Sequence, residues 1–247
     1  MYRNSPFKRA MVPLLNLLLL SGCISQGDIP PQQKAPSDFP ESIYSEYSQA
    51  GSGTVYKVDS AASEILVTVR RGGIMASLGH DHIVASHDLQ GYIFLDKNSS
   101  QNPSCRADFY APIANLEVDN IELRKAAKLP TTPSAKDIAG TTSNMLKSVE
   151  AMEFPFARLH SSDCLKALSG EYSEVTFNIH GVDQKRNIAI AVEEVSEDKI
   201  ILSGEFAILQ SDFGIQPFSI MNGLIKVEDK LELSYKIIAH KKKIESK

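Results

Sequence analysis

Apolar and polar residues alternate with a period of two over much of this chain, and this pattern constrains its fold most. Val175, Phe177 and Ile179 alternate with polar neighbours. The stretches 188–192 and 231–237 repeat the pattern. Such alternation turns one face of a strand inward and the other toward solvent. The chain is therefore predicted to be built from strands that are each buried on one face.

The connections between these strands favour antiparallel pairing. Further strands are predicted at 54–59, 63–71, 82–96, 104–118, 156–165, 199–209 and 222–228. Short polar turns at 194–198 and 228–229 suit hairpins rather than parallel crossovers. About ten strands in one open sheet would leave two unpaired edges, which closure into a barrel removes. We expect an all-β antiparallel barrel whose interior is filled by side chains or holds one ligand.

One region departs from the period of two. Residues 120–153 are rich in Ala, Lys, Leu and Met, and Ser134 to Met152 is predicted to form a helix. Pro155 then favours extended backbone. Together with the strand pattern, this region predicts a barrel with one helical insertion. With 23% charged and 43% hydrophobic residues, the chain is not disordered overall, and its net charge of −4 argues against nucleic acid as a partner.

The N-terminus has the pattern of an export signal. Three basic residues precede an apolar stretch at 10–20, which is too short to span a bilayer. The stretch ends in Leu20-Ser21-Gly22-Cys23, which resembles the lipobox of bacterial lipoproteins. Cys23 would then carry fatty-acyl groups such as palmitate and anchor the chain to a membrane. The alternative is an ordinary secretory peptide with an incidental cysteine.

These features divide the chain into four parts. Residues 1–22 are the predicted lipoprotein signal peptide, 23–53 the lipidated cysteine with a disordered proline-rich tether, 54–241 the barrel and 242–247 a basic tail. Ile24, rather than an aspartate, follows the cysteine. By resemblance to lipoprotein sorting in Gram-negative bacteria, this favours the periplasmic face of the outer membrane.

Two cysteines remain once Cys23 is lipidated. An even pair in an exported domain predicts a disulfide between Cys105 and Cys164. The alternative is a pair of buried free thiols.

The histidine-rich run Gly79-His80-Asp81-His82 is the cluster of the sequence with the most candidate metal-binding or reactive side chains. His80 and His82 at i and i+2 would share one face of a strand, and such a pair can bind zinc or copper, or contribute to a haem site. The alternative is a turn in which these side chains bond to the backbone.

Several short motifs follow one another in order between residues 55 and 240. They are Tyr56-Lys57-Val58-Asp59 with Ser63, Gly79-His80-Asp81-His82 with Gly91, Asn144-Met145-Leu146 with Phe154-Pro155, Ile179-His180-Gly181-Val182, Ser203-Gly204-Glu205-Phe206 and Ser211-Asp212-Phe213-Gly214-Ile215. Together they resemble the YceI-like family, and the second motif resembles its GHDH-containing subgroup. The resemblance implies a lipocalin-like antiparallel barrel that holds a long isoprenoid, a quinone or a similar amphiphilic lipid. It implies no enzymatic activity.

Candidate ligand-binding residues follow from the strand pattern and from the family. The inward sets are Val175, Phe177, Ile179, Leu231, Leu233 and Tyr235. Asp119 and Arg124 resemble an Asp–Arg pair of the family, which either binds a polar headgroup at the cavity mouth or pins a loop as a salt bridge.

Three functions are compatible with these residues. The leading hypothesis is a lipid-anchored periplasmic protein that holds an isoprenoid-type lipid in its lumen. The second is a metal or redox protein of the envelope, centred on His80 and His82. The third is a structural barrel with a filled interior and no ligand.

Overall fold

The computed structural model describes residues 35–96 and 104–243. The predicted signal peptide, Cys23 and the end of the basic tail lie outside the described residues. The strands of the described part are β1 Thr54–Val58, β2 Glu64–Gly72, β3 His82–Ser86, β4 Gln90–Asp96, β5 Ser104–Pro112, β6 Glu117–Val118, β7 Phe156–Ser161, β8 Tyr172–Ile179, β9 Val182–Ala189, β10 Ala191–Val195, β11 Lys199–Leu209, β12 Ser219–Ile220 and β13 Ile225–Lys241. Its helices are α1 Glu41–Ala50, α2 Ile121–Ala126, α3 Ala135–Ser148 and α4 Leu165–Leu168.

The sheet is antiparallel throughout, as the alternation predicts. Hydrogen-bonded neighbours follow the order β6-β3-β2-β13-β1-β4-β5-β7-β8-β9, and β13 also pairs with β11, which pairs with β10. Among the described strands no ladder joins β9 to β11, so the predicted complete closure is corrected. Side chains bridge this gap instead: Gln184 of β9 donates to the Asp212 carbonyl over 2.7 Å, and Arg186 pairs with the Asp212 carboxylate.

β13 organises the sheet because it is long enough to pair with several strands. β11 lies along one edge, and β2 and β1 share the other. The predicted turn at Glu228-Asp229 is wrong, because both residues lie inside β13. The register with β2 shifts between Val227 and Leu231, so the polar pair forms a bulge that bends the strand without ending it.

The antiparallel registers fix which loops share an end of the barrel. The connections 73–81, 113–155, 180–181 and 210–224 lie at one end, here called the β2–β3 end. The connections 162–171 and 196–198 lie at the opposite end, called the disulfide end.

The helical insertion is confirmed in place, with two helices instead of one. α3 starts after Ser134, whose hydroxyl accepts from the Asp137 N–H while the Asp137 carboxylate accepts from the Ser134 N–H. This capping box satisfies donors that an unprotected helix end leaves free. α3 ends at Ser148, before the predicted Met152, and Glu150 has a positive φ of 47° that a helix cannot continue through.

The N-terminal segment differs from the predicted tether. Residues 41–50 form α1, which packs along β4 on the outside of the barrel and buries Tyr44 completely. Tyr44 stacks on Tyr92 with ring centroids 5.0 Å apart, and Tyr47 stacks on Phe94 at 4.0 Å. The segment has little helical signal of its own, so the aromatic contacts with the sheet stabilise it.

Tyr44 also reaches a buried carboxylate. Its hydroxyl donates to Asp108 over 2.5 Å, and Arg106 and His160 contact the same carboxylate. Burial and the Asp108 hydrogen bond raise the pKa of Tyr44 far above its ordinary range, so it stays a neutral donor.

We expect Tyr44→Phe to lower the free energy of unfolding by about 1.5–3 kcal/mol, the usual range for a hydrogen bond to a charged group. Chemical denaturation of the full chain measures this. Tyr47→Phe is the matched control, because Tyr47 packs through its ring in the same helix. Equal losses in the two variants would contradict a role for the Tyr44 hydroxyl.

Candidate functional site

The inward faces of the strands enclose an apolar cavity of about 230 Å³. By the same measure a single water needs about 10–15 Å³, so the space far exceeds a packing defect. Its wall extends along β13 from Leu231 to Ile237, which corresponds to about 20 Å at the usual rise per strand residue. The interior is therefore elongated and lined almost entirely by aliphatic and aromatic side chains.

All six predicted inward residues lie on the cavity wall. They are Val175, Phe177, Ile179, Leu231, Leu233 and Tyr235. Period two identifies them because successive side chains of a strand point to opposite faces. The wall also includes residues from β2, β5 and β11 that the sequence did not single out, among them Ile65, Phe109 and Leu202.

A disulfide lies at one end of the cavity. Cys105 of β5 and Cys164, just before α4, are bonded, and both line the cavity wall. Ala167 and Leu168 of α4 cover the lumen beside them. The bond ties this cover to the sheet at the disulfide end.

Tyr235 brings a polar atom to the cavity wall. Its hydroxyl is buried and is the one buried side-chain polar atom of the described residues that lacks a hydrogen-bond partner. Burial raises the pKa of Tyr235 to about 12. The ring lies over Gly204, where any Cβ would come within 2.7 Å of the hydroxyl oxygen. The hydroxyl is thus an unpaired polar group packed against Gly204 in the wall of an otherwise apolar lumen.

The predicted pair Asp119 and Arg124 does not line this cavity. Both side chains are almost completely buried, and they form an ion pair beside β3. All five guanidinium N–H groups are used, since Arg124 also donates to the Asp81 carbonyl and to the carbonyl and hydroxyl of Thr131. This geometry supports the alternative in which the pair pins a loop. Arg124 of α2 bonds to Asp119 before the helix, to Thr131 after it and to Asp81 before β3.

His82 completes a buried network with the same carboxylate. Its Nδ1 lies 2.7 Å from Asp119 Oδ2, and the Ile83 N–H donates to Oδ1 at 3.1 Å. Burial alone would raise the pKa of Asp119, but hydrogen bonds from His82, Ile83 and Arg124 outweigh it and hold that pKa below the usual value. Asp119 therefore remains ionised at the centre of the network.

His80 and His82 do not share a strand face, which corrects the sequence prediction. β3 begins at His82, and His80 precedes it in a loop that follows a short turn at 76–78. Their rings lie edge to face with centroids 5.7 Å apart. Within the described residues, no three His, Cys, Asp or Glu side chains gather closely enough to hold a metal ion. His82 is directed by its bond to Asp119.

Sequence reasoning missed the Asp108 network described above. Asp108 occupies an outward position on β5, where a solvated side chain is expected, yet it is almost fully buried beneath α1. Burial would raise its pKa, but hydrogen bonds from His160, Arg106 and Tyr44 hold it below the usual value. The aromatic residues at 39, 44 and 47 were the available signal that this segment packs on the sheet.

No helix of the described residues is long and apolar enough to cross a membrane. No family model matches the sequence, and no curated protein matches it.

Solved structures do resemble the chain. A polyisoprenoid-binding domain from Saccharophagus degradans, implicated in plant cell wall breakdown, matches with a TM-score of 0.52 and 13% identity over 76% of this chain and 99% of that one. BcnA from Burkholderia cenocepacia matches with a TM-score of 0.50 and 14% identity over 73% and 98%. A Campylobacter jejuni YCEI protein has a TM-score of 0.40 and 18% identity over 63% and 82%.

The first two likenesses establish the class of fold. The chain has the all-β fold of the polyisoprenoid-binding domain and of BcnA. The all-β antiparallel fold expected from the motifs is therefore confirmed.

Proposed function

We propose that this protein binds a long-chain isoprenoid or a similar amphiphilic lipid in the barrel lumen and does not act as an enzyme. The observation that carries the proposal is the elongated apolar cavity, which would expose a large unfilled hydrophobic wall without a ligand. The fold shared with a polyisoprenoid-binding domain supports it. The unpaired Tyr235 hydroxyl in the cavity wall supports a ligand that carries a polar group, such as a quinone carbonyl, once the ring turns toward the lumen.

The proposal includes anchoring and location. We infer that Cys23 carries lipid and holds the barrel at the periplasmic face of the outer membrane. The lipobox-like residues 20–23 support this, and Ile24 supports the outer membrane. Mass determination of the mature N-terminus tests the anchor directly, because an unmodified Cys23 would contradict it.

The test of ligand binding is mass spectrometry of an organic extract. The full chain is purified from its envelope, and the extract is compared with that of an unrelated lipoprotein treated identically. We expect one class of long-chain lipid at close to one molecule per protein. A barrel that stays empty after incubation with quinones and polyprenols would overturn the proposal in favour of a structural barrel.

Removing the Tyr235 hydroxyl should stabilise the lipid-stripped protein but weaken its binding of a ligand. In lipid-stripped protein, Tyr235→Phe should raise the free energy of unfolding by about 1 kcal/mol, because an unpaired buried polar group is removed. With a carbonyl-bearing ligand the same variant should bind about tenfold more weakly, a loss of roughly 1.4 kcal/mol. Denaturant unfolding and a quinone titration measure the two effects.

The control is Tyr56→Phe, since the Tyr56 hydroxyl is already paired with the Ser196 carbonyl at 2.9 Å. This control should lose stability and leave ligand affinity unchanged. If Tyr235→Phe destabilised the stripped protein as the control does, the hydroxyl would have a partner other than the ligand.

A further inference from the structure

Exposed apolar side chains concentrate on two touching loops at the β2–β3 end. Ile74 is 91% exposed, Leu78 62% and Met221 58%, and Ile220 beside Met221 is also exposed. Single exposed apolar residues are normal on a soluble surface, but a contiguous group marks a contact site. These four side chains are here called the apolar tip.

The loops of the apolar tip are joined by backbone structure. β2 and β12 pair with opposite edges of the start of β13, so both loops emerge from one place. The Met75 N–H donates to the Leu224 carbonyl over 2.9 Å. Met221 and Asn222 both have left-handed backbone, with φ near 53° and 54°, which non-glycine residues seldom adopt. Strand pairing, a backbone hydrogen bond and a specific backbone conformation therefore hold the two loops of the tip together.

α1 directs the membrane tether toward the same end. The helix lies along β4 and ends near β1, so the chain before it begins close to Arg158, which pairs with Asp38. Arg158 is the third residue of β7, a strand that starts at the β2–β3 end. Without α1 the tether would leave from Thr54 at the disulfide end.

The chain between Cys23 and the described residues is short, and its length limits how far the barrel can lie from the membrane. Eleven residues, 24–34, lie between Cys23 and Ala35, where the described chain starts. Fully extended, they reach at most about 40 Å. A barrel anchored this closely, through a chain that joins it in the half nearer the β2–β3 end, can bring the apolar tip to the bilayer surface.

We propose that the apolar tip inserts into the surface of the lipid bilayer that holds Cys23, so that the β2–β3 end of the cavity faces the membrane. This inference rests on the proposed function, whose lipid anchor and lipid ligand it places at one surface. Ile179 and Leu231 lie near this end of the cavity wall, so a lipid would enter from the membrane side.

The charge near the tip indicates what drives insertion. Arg70 and Arg71 lie on β2 just before the tip, but both contact Asp81, and Arg70 also contacts Glu232. These two arginines are therefore neutralised within the protein, whereas Lys226 at the start of β13 adds one exposed cation. Insertion should depend on the apolar side chains and change little with the fraction of anionic lipid.

Depth-dependent fluorescence quenching tests the orientation. Ile74→Cys and Met221→Cys variants of the full lipidated chain are labelled with a polarity-sensitive dye and reconstituted into vesicles of brominated phosphatidylcholine, with and without phosphatidylglycerol. Tyr172→Cys is the matched control, because Tyr172 is also largely exposed but starts β8 at the disulfide end. We expect a blue shift and strong quenching at positions 74 and 221, and neither at 172.

Bound lipid is measured by mass spectrometry on the same preparations, which separates the two proposals. No quenching at 74 and 221, or equal quenching at 172, overturns the orientation even if lipid is found in the cavity. Quenching at the tip with an empty cavity supports the orientation and overturns the proposed ligand. A blue shift without vesicles, accompanied by a doubled molecular mass, assigns the tip to a second copy of the chain and overturns membrane insertion.

Discussion

Arg124→Ala should lower the free energy of unfolding by about 3–5 kcal/mol, the usual cost of removing one partner from a buried ion pair. Asp119 would keep its charge in a site that is 1% exposed and would lose its permanent cation. The carbonyls of Asp81 and Thr131 would lose their donors at the same time. Denaturant unfolding of the full chain, followed by circular dichroism, measures the loss.

Lys125→Ala is the matched control, because Lys125 is the next residue of α2 and its pair with Glu122 is exposed to solvent. Exposed pairs contribute only about 0–1 kcal/mol. A comparable loss in both variants would show that α2 is stabilised by its helix, rather than by the buried network.

The effect of Arg124→Ala should also depend on pH. The native pKa of Asp119 lies below its usual value of 3.8 because the hydrogen bonds from His82, Ile83 and Arg124 outweigh burial. A carboxylate with a lowered native pKa contributes stability that is present above the usual value and is lost as the pH falls through the native pKa. The difference between wild type and variant should therefore shrink in acid below that value. A difference that grows in this range would contradict an ionised Asp119.

The same network shows what sequence reasoning could and could not predict. The period of two located most of the strands and six of the apolar residues of the cavity wall, because side-chain direction in a strand is fixed by the backbone. Asp119 and His82 were both selected, one as a headgroup ligand and the other as a metal ligand. They are bonded to each other across 37 residues of sequence, and no local pattern encodes that contact.

α1 was missed for a related reason. Prolines, Ser and Gln before residue 54 have the composition of a tether, and composition reports only local preference. The helix exists because Tyr44 and Tyr47 meet aromatic partners on β4, which is a tertiary effect. Conversely, Glu228-Asp229 has the composition of a turn, but the pairing of β13 with its neighbours keeps it in the strand.

Filling the lumen should abolish lipid binding while leaving the fold intact. Leu202→Trp combined with Leu233→Trp places two large rings at different levels of the cavity wall, on β11 and β13. Overpacking destabilises a filled core, but here the added volume enters existing space, so stability should be kept. We expect the bound lipid per protein to fall by at least about tenfold, which from near saturation requires more than roughly 1.4 kcal/mol of lost affinity.

The readout is mass spectrometry of the organic extract, normalised to protein, together with the melting temperature. Tyr172→Trp is the control, since it enlarges an exposed aromatic residue on the outside of the barrel and should retain the lipid of the wild type. A structural barrel with a filled interior predicts a different result: the double variant would lose stability, and the extract would be empty in every case. A double variant that folds and retains its lipid would place the ligand outside the cavity, because the two added rings occupy the lumen between β11 and β13.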